Sequence, residues 1–343
     1  MRLGILTGGG DCPGLNAVIR AVVRKAQKDF DDEVIGFRDG WAGVLESRFM
    51  PLDITAMRGA LPRGGTILGT SRSHPAYYEG GFERARMNLD QMGIDCLIAV
   101  GGDGTLAVSQ RLIELGGRVI GVPKTIDNDI ALTDFTFGFN TAVQIATDLI
   151  DRLHTTAESH NRVMVVEVMG RNVGHVATHA GIAGGATVIL VPEYPFDIEV
   201  VCEQLRRRHS GGRYASIVVV AEGARPREGT MDTGPVRLDE WGNPKLGGMG
   251  ELVGRAISDR TGFESRVTVL GHVQRGGTPS AYDRVLCTRF GVEAAVAAHD
   301  HDFGKMVALR GEHIIRVPLS EVVGREKPVA PELFEGVAQV FFP

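Results

Sequence analysis

Three acidic side chains stand in two short segments that also carry glycine or turn residues. Asp103 lies in Val100-Gly101-Gly102-Asp103-Gly104-Thr105, and Asp127 and Asp129 lie in Pro123-Lys124-Thr125-Ile126-Asp127-Asn128-Asp129. Bare glycine backbone lets phosphate oxygens reach main-chain amides, and a carboxylate beside such a cradle suits Mg2+, which takes one or two carboxylates with phosphate oxygens and retained waters. Asp103 is the only charged side chain among its glycines. That favours a Mg2+ ligand over an N-cap for the helix beginning near Thr105, because a cap needs no flanking glycines. Asp127 and Asp129 are two apart, so an extended loop turns both to one side, where like charges cost energy unless a cation, a proton or a donor offsets them. One of them can take the proton of a hydroxyl that attacks a transferring phosphoryl group. A turn stabilised by Asp and Asn is the other reading of the same residues.

Two further groups surround these. Gly8-Gly9-Gly10-Asp11-Cys12-Pro13-Gly14-Leu15-Asn16 follows an apolar run and opens a helix, so its amides can hold an anion or simply form a tight turn. It is neither a dinucleotide fingerprint, since Pro13 stands where the third glycine belongs, nor a Walker loop. Later in the chain come Arg162, Met169-Gly170-Arg171, Glu222, Arg266, His272 and Arg275. Guanidiniums next to strand ends suit a substrate that already carries a phosphate.

The elements that must position these residues alternate. Short apolar runs at 2–7, 33–37, 95–100, 118–122, 162–168, 187–191, 215–221 and 265–270 read as strands. Amphipathic stretches around 14–28, 105–115, 139–156, 173–183, 197–209, 249–261 and 280–299 read as helices between them. Unalternated apolar strands are covered on both faces, which predicts an α/β fold with two doubly wound, mostly parallel-sheet domains and ligands at the carboxyl ends of the strands. Residues 225–248, rich in Gly, Pro and charge without periodicity, read as a surface excursion. At 343 residues the chain is long enough for two cores, and its 46 glycines are nearly twice the usual share of about 7%. A net charge of −5 argues against a general nucleic-acid binder. Cys12, Cys96, Cys202 and Cys287 lie far apart with no CxxC spacing, which suggests neither a disulfide framework nor a zinc site and fits a reducing compartment. With no signal peptide and no membrane-length apolar stretch, the expected location is the cytoplasm and no membrane partner is expected.

Over nearly the whole length, GGGDCPGLN (8–16), GGTILGTSR (64–72), GGDGT (101–105), PKTIDND (123–129), SHNR (159–162), VEVMGR (166–171), AEG (221–223) and VLGHVQRGGTPSAYDR (269–284) follow one another in the order found in bacterial 6-phosphofructokinases of the A type, which the chain resembles. The resemblance implies a phosphoryl-donor domain of residues 1–138 plus 274–310, a fructose 6-phosphate domain of 139–273, and a C-terminal segment of 311–343 packing back on them. It makes Asp127 the general base toward the 1-hydroxyl of fructose 6-phosphate and Arg171 the group that stabilises the transferring phosphoryl. Asp103 would hold Mg2+, and Asp129 would order the loop. Thr125, Ile126, Asp127, Met169, Gly170, Arg171, Glu222, His272, Val273, Gln274 and Arg275 would bind the sugar phosphate. Arg162 and Arg266 would reach in from a neighbouring subunit of a homodimer or homotetramer. Gly10, Arg72, Ser73, Gly102, Asp103, Gly104 and Thr105 would hold the donor.

Two positions bear on the donor. Gly104 is the residue of ATP-using members, where a side chain would meet the α-phosphate, whereas Lys124 is common among pyrophosphate users. A flexible Lys124 can move aside while a side chain at 104 cannot, so the expectation is ATP-dependent transfer, with a reversible pyrophosphate-dependent enzyme as the alternative. Of the basic effector pocket found in allosteric bacterial members, Arg20, Arg24 and Arg213 keep the charge, but Ile54, His154, Thr187, Gly211 and Ala215 do not, so little response to phosphorylated effectors is expected. An NAD or lipid kinase shares GGDGT alone and lacks the PKTIDND, MGR and HVQRGG segments. A non-catalytic sugar-phosphate or nucleotide-binding subunit is disfavoured by the joint presence of Asp103, Asp127 and Arg171.

Overall fold

The apolar runs become the strands of two sheets in a computed structural model that describes residues 1–71, 73–234 and 247–341. Each sheet is the centre of one of two units. The first unit comprises Met1–Thr141 and Arg275–Glu326, the second Ala142–Gln274 and Lys327–Pro343.

The first unit begins β1 (Arg2–Thr7), α1 (Leu15–Asp29), β2 (Glu33–Phe37), α2 (Trp41–Leu45), β3 (Phe49–Leu52), α3 (Gly81–Gln91), β4 (Cys96–Gly101), α4 (Asp103–Glu114), β5 (Val119–Thr125) and β6 (Phe137–Gly138). α5 (Phe139–His160) then carries the chain onward into the second unit. That unit contributes β7 (Val163–Val168), α6 (His175–Ala183), β8 (Val188–Leu190), α7 (Ile198–Ser210), β9 (Ser216–Ala221), α8 (Met249–Thr261) and β10 (Ser265–Val269). The chain returns to the first unit for α9 (Ala281–His299), β11 (Lys305–Arg310) and β12 (His313–Pro318), and α10 (Pro331–Phe334) belongs to the second.

In the first unit the strands lie in the order β12-β11-β5-β4-β1-β2-β3, with β6 paired to β5. All pairs are parallel except β11 with β12 and β2 with β3 at the two edges. β4 is buried at every residue and β1 at all but its first, as strands covered on both faces must be. α1 packs along α9, and they approach closely because a Cβ at Gly291 would stand 2.6 Å from the Val18 carbonyl oxygen. The second unit has a fully parallel sheet ordered β10-β7-β9-β8. β7 and β9, in its middle, are buried along their whole length, while β10 at the edge is largely open.

The α/β architecture with mostly parallel sheets is the one expected from the apolar runs. The sequence did not point to β3, α3, β11 or β12. Of the excursion at 225–248, residues 235–246 lie outside the described residues. Among the described residues, no helix is long and apolar enough to cross a membrane. The four cysteines are free and buried.

Candidate active site

In the first unit the loops at the carboxyl ends of β1, β4 and β5 converge. The amide of Gly8 donates to the carbonyl of Val100 at 2.9 Å, which ties the first glycine loop to the second. The Thr105 side chain fills the space between them: a Cβ at Gly8 would lie 2.4 Å from its Oγ1, and one at Gly101 2.3 Å from its Cβ. Both glycines are therefore required by close approach, whatever they bind. The loop is braced further by Thr70, whose hydroxyl donates to the Gly9 carbonyl at 2.6 Å. Asn16, fully buried, donates to the carbonyls of Arg63 and Gly64 and accepts from the amide of Ile67. This is how the 64–71 segment is held against the cradle. Ser73 packs beside it, its amide 3.3 Å from Ser71 Oγ, whereas Arg72 lies outside the described residues.

Asp103 is the first residue of α4, and its N-cap is Gly102, with no side-chain cap. The capping alternative for this carboxylate thus falls away. Asp103 stays exposed at the positive end of the helix, next to an equally exposed Gly104, where an added Cβ would meet nothing within 4 Å. The loop after β5 is fixed by its own side chains. The amide of Asp127 donates to Thr125 Oγ1 at 3.1 Å, and Thr136 bonds the Thr125 carbonyl at 2.8 Å. Asn128, left-handed at φ 55°, accepts from the Thr136 amide at 3.0 Å. With Asn128 turned inward, Asp127 and Asp129 stand half-buried on either side of it.

Burial lifts the Asp129 carboxyl above the ordinary carboxylate value. Hydrogen bonds from its own amide and from Thr125 oppose that rise, and the charges of Asp103 and Glu326 add to it. Asp129 Oδ1 is buried with no hydrogen-bond partner. Among the described residues no three or more His, Cys, Asp or Glu side chains are grouped to hold a metal. One or two carboxylates with an unsatisfied oxygen are the donor set of a Mg2+ that draws its remaining ligands from phosphate and water, so the residues fit that ion.

Two cations sit at the first glycine loop. Lys124 is 4% exposed, and its Nζ donates to the Gly10 carbonyl. Arg275 Nη1 donates to the Asp11 carbonyl at 3.2 Å and would be 2.7 Å from a Cβ at Gly10. Burial pushes the Lys124 ammonium below its usual value and Arg275 adds to the effect, with Asp11 and Asp127 opposing it. Arg275, grouped by sequence with the sugar-phosphate residues, therefore has its guanidinium on the glycine loop of the first unit.

In the second unit the carboxyl ends of β7, β9 and β10 converge in the same manner. The Glu222 amide donates to the Val168 carbonyl at 2.8 Å and the Gly223 amide to the Gly170 carbonyl at 3.0 Å. Gly170 has φ 140°, and a Cβ at Gly223 would be 1.9 Å from the Arg171 carbonyl oxygen, so neither position accepts a side chain. Gln274, fully buried, accepts from the Met169 amide at 3.3 Å and donates to the Gly271 carbonyl at 3.1 Å. It ties the 271–274 turn to the Met169–Arg171 loop, and Arg171, His272 and Val273 remain exposed.

Arg162 and Arg266 do not join this group. They stand at the opposite, amino-terminal end of β7 and β10, so the length of β7, roughly 20 Å for six residues, separates Arg162 from Arg171 within the chain. The sequence grouped all these cations at strand ends; the structure divides them because Arg162 enters a strand that Arg171 leaves. The side chains that brace the cradles, Thr70, Asn16 and Gln274, lie within the recognised motifs, but their partners are remote in sequence and only the fold reveals them.

Residues 2–298 match the model of the phosphofructokinase family. The chain is 59% identical over 343 residues, all of both proteins, to a pyrophosphate–fructose 6-phosphate 1-phosphotransferase of Streptomyces coelicolor. It is 54% identical over 329 residues, 96% of each, to ATP-dependent 6-phosphofructokinase 3 of the same organism. Among solved structures, the phosphofructokinase of Pichia pastoris in the T-state superposes with a TM-score of 0.83 at 31% identity. That match covers 99% of this chain and 36% of the Pichia chain, so this chain spans about a third of the yeast protein's length.

Proposed function

The chain belongs to the phosphofructokinase family, and on that premise we propose that it transfers a phosphoryl group from inorganic pyrophosphate to the 1-hydroxyl of fructose 6-phosphate. The observation that carries the choice of donor is Lys124. The expectation of ATP rests on a lysine that swings aside, whereas this one is 4% exposed and bonded to the Gly10 carbonyl. Pyrophosphate offers neither base nor ribose, so its recognition must come from cations and amides, and a fixed ammonium in a glycine cradle supplies both. The name of the 59% identical relative agrees.

ATP is the second reading. It is supported by the open space at Gly104, which leaves room for an α-phosphate, and by the name of the 54% identical relative. Initial rates with each donor at saturating fructose 6-phosphate test the choice. The expected kcat/KM is higher with pyrophosphate by about tenfold or more, a difference of about 1.4 kcal/mol in transition-state binding. A preference for ATP overturns the proposal.

In this reading Asp127 accepts the proton of the 1-hydroxyl as its oxygen bonds to phosphorus, and the bond from phosphorus to the departing phosphate breaks. Arg171 neutralises charge on the transferring group. Mg2+, held by Asp103 beside Asp129, would supply charge neutralisation on the donor phosphates. Gly10, Arg72, Ser73, Gly102 and Thr105 cradle the donor. Thr125, Ile126, Met169, Gly170, Glu222, His272, Val273 and Gln274 hold the sugar phosphate, while Arg275, whose guanidinium lies on the first glycine loop, serves the donor side. Arg162 and Arg266 complete that pocket in a neighbouring copy of a homo-oligomer, and their separation from Arg171 in the single chain supports this arrangement.

A further inference from the structure

The amino-terminal end of β7 and β10 carries a cluster whose acidic member, Glu264, lies outside every recognised motif. In the parallel register Ser265 pairs with Val163 and Arg266 with Met164, and the Val163 amide donates to the Glu264 carbonyl at 3.0 Å. Glu264 is thereby set beside Arg162 on the adjacent strand. Arg266, two residues beyond Glu264, projects to the same face, since side chains alternate along a strand. The carboxylate bridges both cations: Glu264 Oε2 lies 2.9 Å from Arg162 Nε and Oε1 lies 2.5 Å from Arg266 Nη2. The approaches run through Arg162 Nε and Arg266 Nη2, and a guanidinium carries five N–H donors, so each cation has donors beyond this contact for an incoming anion. β10 is an edge strand of its sheet, and the side chains of Glu264 and Arg266 are 48% and 58% exposed, so the cluster faces outward from the chain.

We infer that Glu264 is a positioning residue that holds Arg162 and Arg266 as a preorganised pair for the 6-phosphate bound in the neighbouring subunit. Without it, two guanidiniums on adjacent strands repel each other, and each flexible side chain must be ordered when substrate arrives. With it, the pair waits at a fixed spacing with its outer donors unspent. The inference rests on the proposed role of these arginines toward the sugar phosphate.

The test compares the Glu264→Gln, Glu264→Asp and Arg266→Ala enzymes with the wild type as full-length proteins. Glu264→Gln is expected to raise the KM for fructose 6-phosphate about tenfold, the effect of no longer pre-ordering two long side chains. The donor KM should stay unaltered and kcat should change by less than about twofold, because a uniform binding contact is lost. Glu264→Asp keeps the charge and is expected to fall between Glu264→Gln and wild type. In the Arg266→Ala background the Glu264→Gln effect is expected to shrink, because the two changes act on one unit. A thermal midpoint unchanged in Glu264→Gln separates this role from a structural one, since an exposed ion pair contributes little to folding. If Arg266→Ala raises the sugar-phosphate KM and Glu264→Gln does not, the inference alone fails. If neither raises it, the role assigned to the arginines fails and the inference with it.

Discussion

Asp127 and Asn128 illustrate how one residue serves another. Asn128 takes the left-handed conformation and buries its amide on Thr136, which frees the flanking carboxylates to stay half-buried at the loop surface. Replacing Asp127 by Ser removes the proposed proton acceptor while leaving this anchoring intact. Turnover is expected to fall by about 10²–10⁴, the usual contribution of a general base. The dissociation constant for fructose 6-phosphate, measured by calorimetry, should change little, and full activity in the Ser variant would remove Asp127 from the reaction. The glycines and carboxylates of these loops were legible because phosphate chemistry restricts residue type and spacing over a few positions. Arg275 was legible as a cation but not by location, because its contact with the Asp11 carbonyl spans 264 residues and depends on where the chain re-enters the first unit.

At the level of elements, α6 shows a pH response built into a helix terminus. His175 opens this helix, is 6% exposed, and lies with Nε2 2.9 Å from the Lys327 carbonyl. Burial lowers its pKa from 6.5 to about 4, with Lys327 and His179 adding to the effect and the hydrogen bond to the Lys327 carbonyl opposing it. The unfolded chain therefore binds a proton that the folded chain refuses between these values, so this contribution is whole above pH 6.5 and is lost as pH falls toward 4, by roughly 3 kcal/mol. Replacing His175 by Gln, which can still donate to the carbonyl, is expected to flatten the decline of denaturation midpoint with acid relative to wild type. An unchanged slope would refute the role of this imidazole.

The elements themselves divide by burial. β1, β4, β7 and β9 announced themselves as unbroken apolar runs because helices cover both their faces. β3 contains Pro51 and is half open at a sheet edge, and β12 is only partly buried, so neither carries a strong period. α3 escaped notice because only Gly81, Ala85 and Leu89 of its eleven residues are buried, too narrow a stripe to show against a polar background.

For the molecule as a whole, cations stand at both ends of β7 and β10, an arrangement that the proposed sharing of pockets between copies would use. If Arg162 and Arg266 serve a neighbour, an Asp127→Ser chain and an Arg162→Ala chain, each inactive alone, complement when co-expressed. Random pairing of two copies gives about a quarter of wild-type activity, since half the pairs are mixed and one pocket in each mixed pair is whole. Mixtures no more active than their parents would mean that each chain uses its own arginines.

The empty surroundings of Gly104 carry a consequence for descent. No packing depends on that position, so a lineage can gain or shed a side chain there without unfolding, and were that residue to govern the donor, the energy currency it spends would change with it. Selection on donor supply can then act almost free of selection on stability. Relatives as near as 59% and 54% identity, within one Streptomyces genome, bearing different donor names is the outcome such freedom permits.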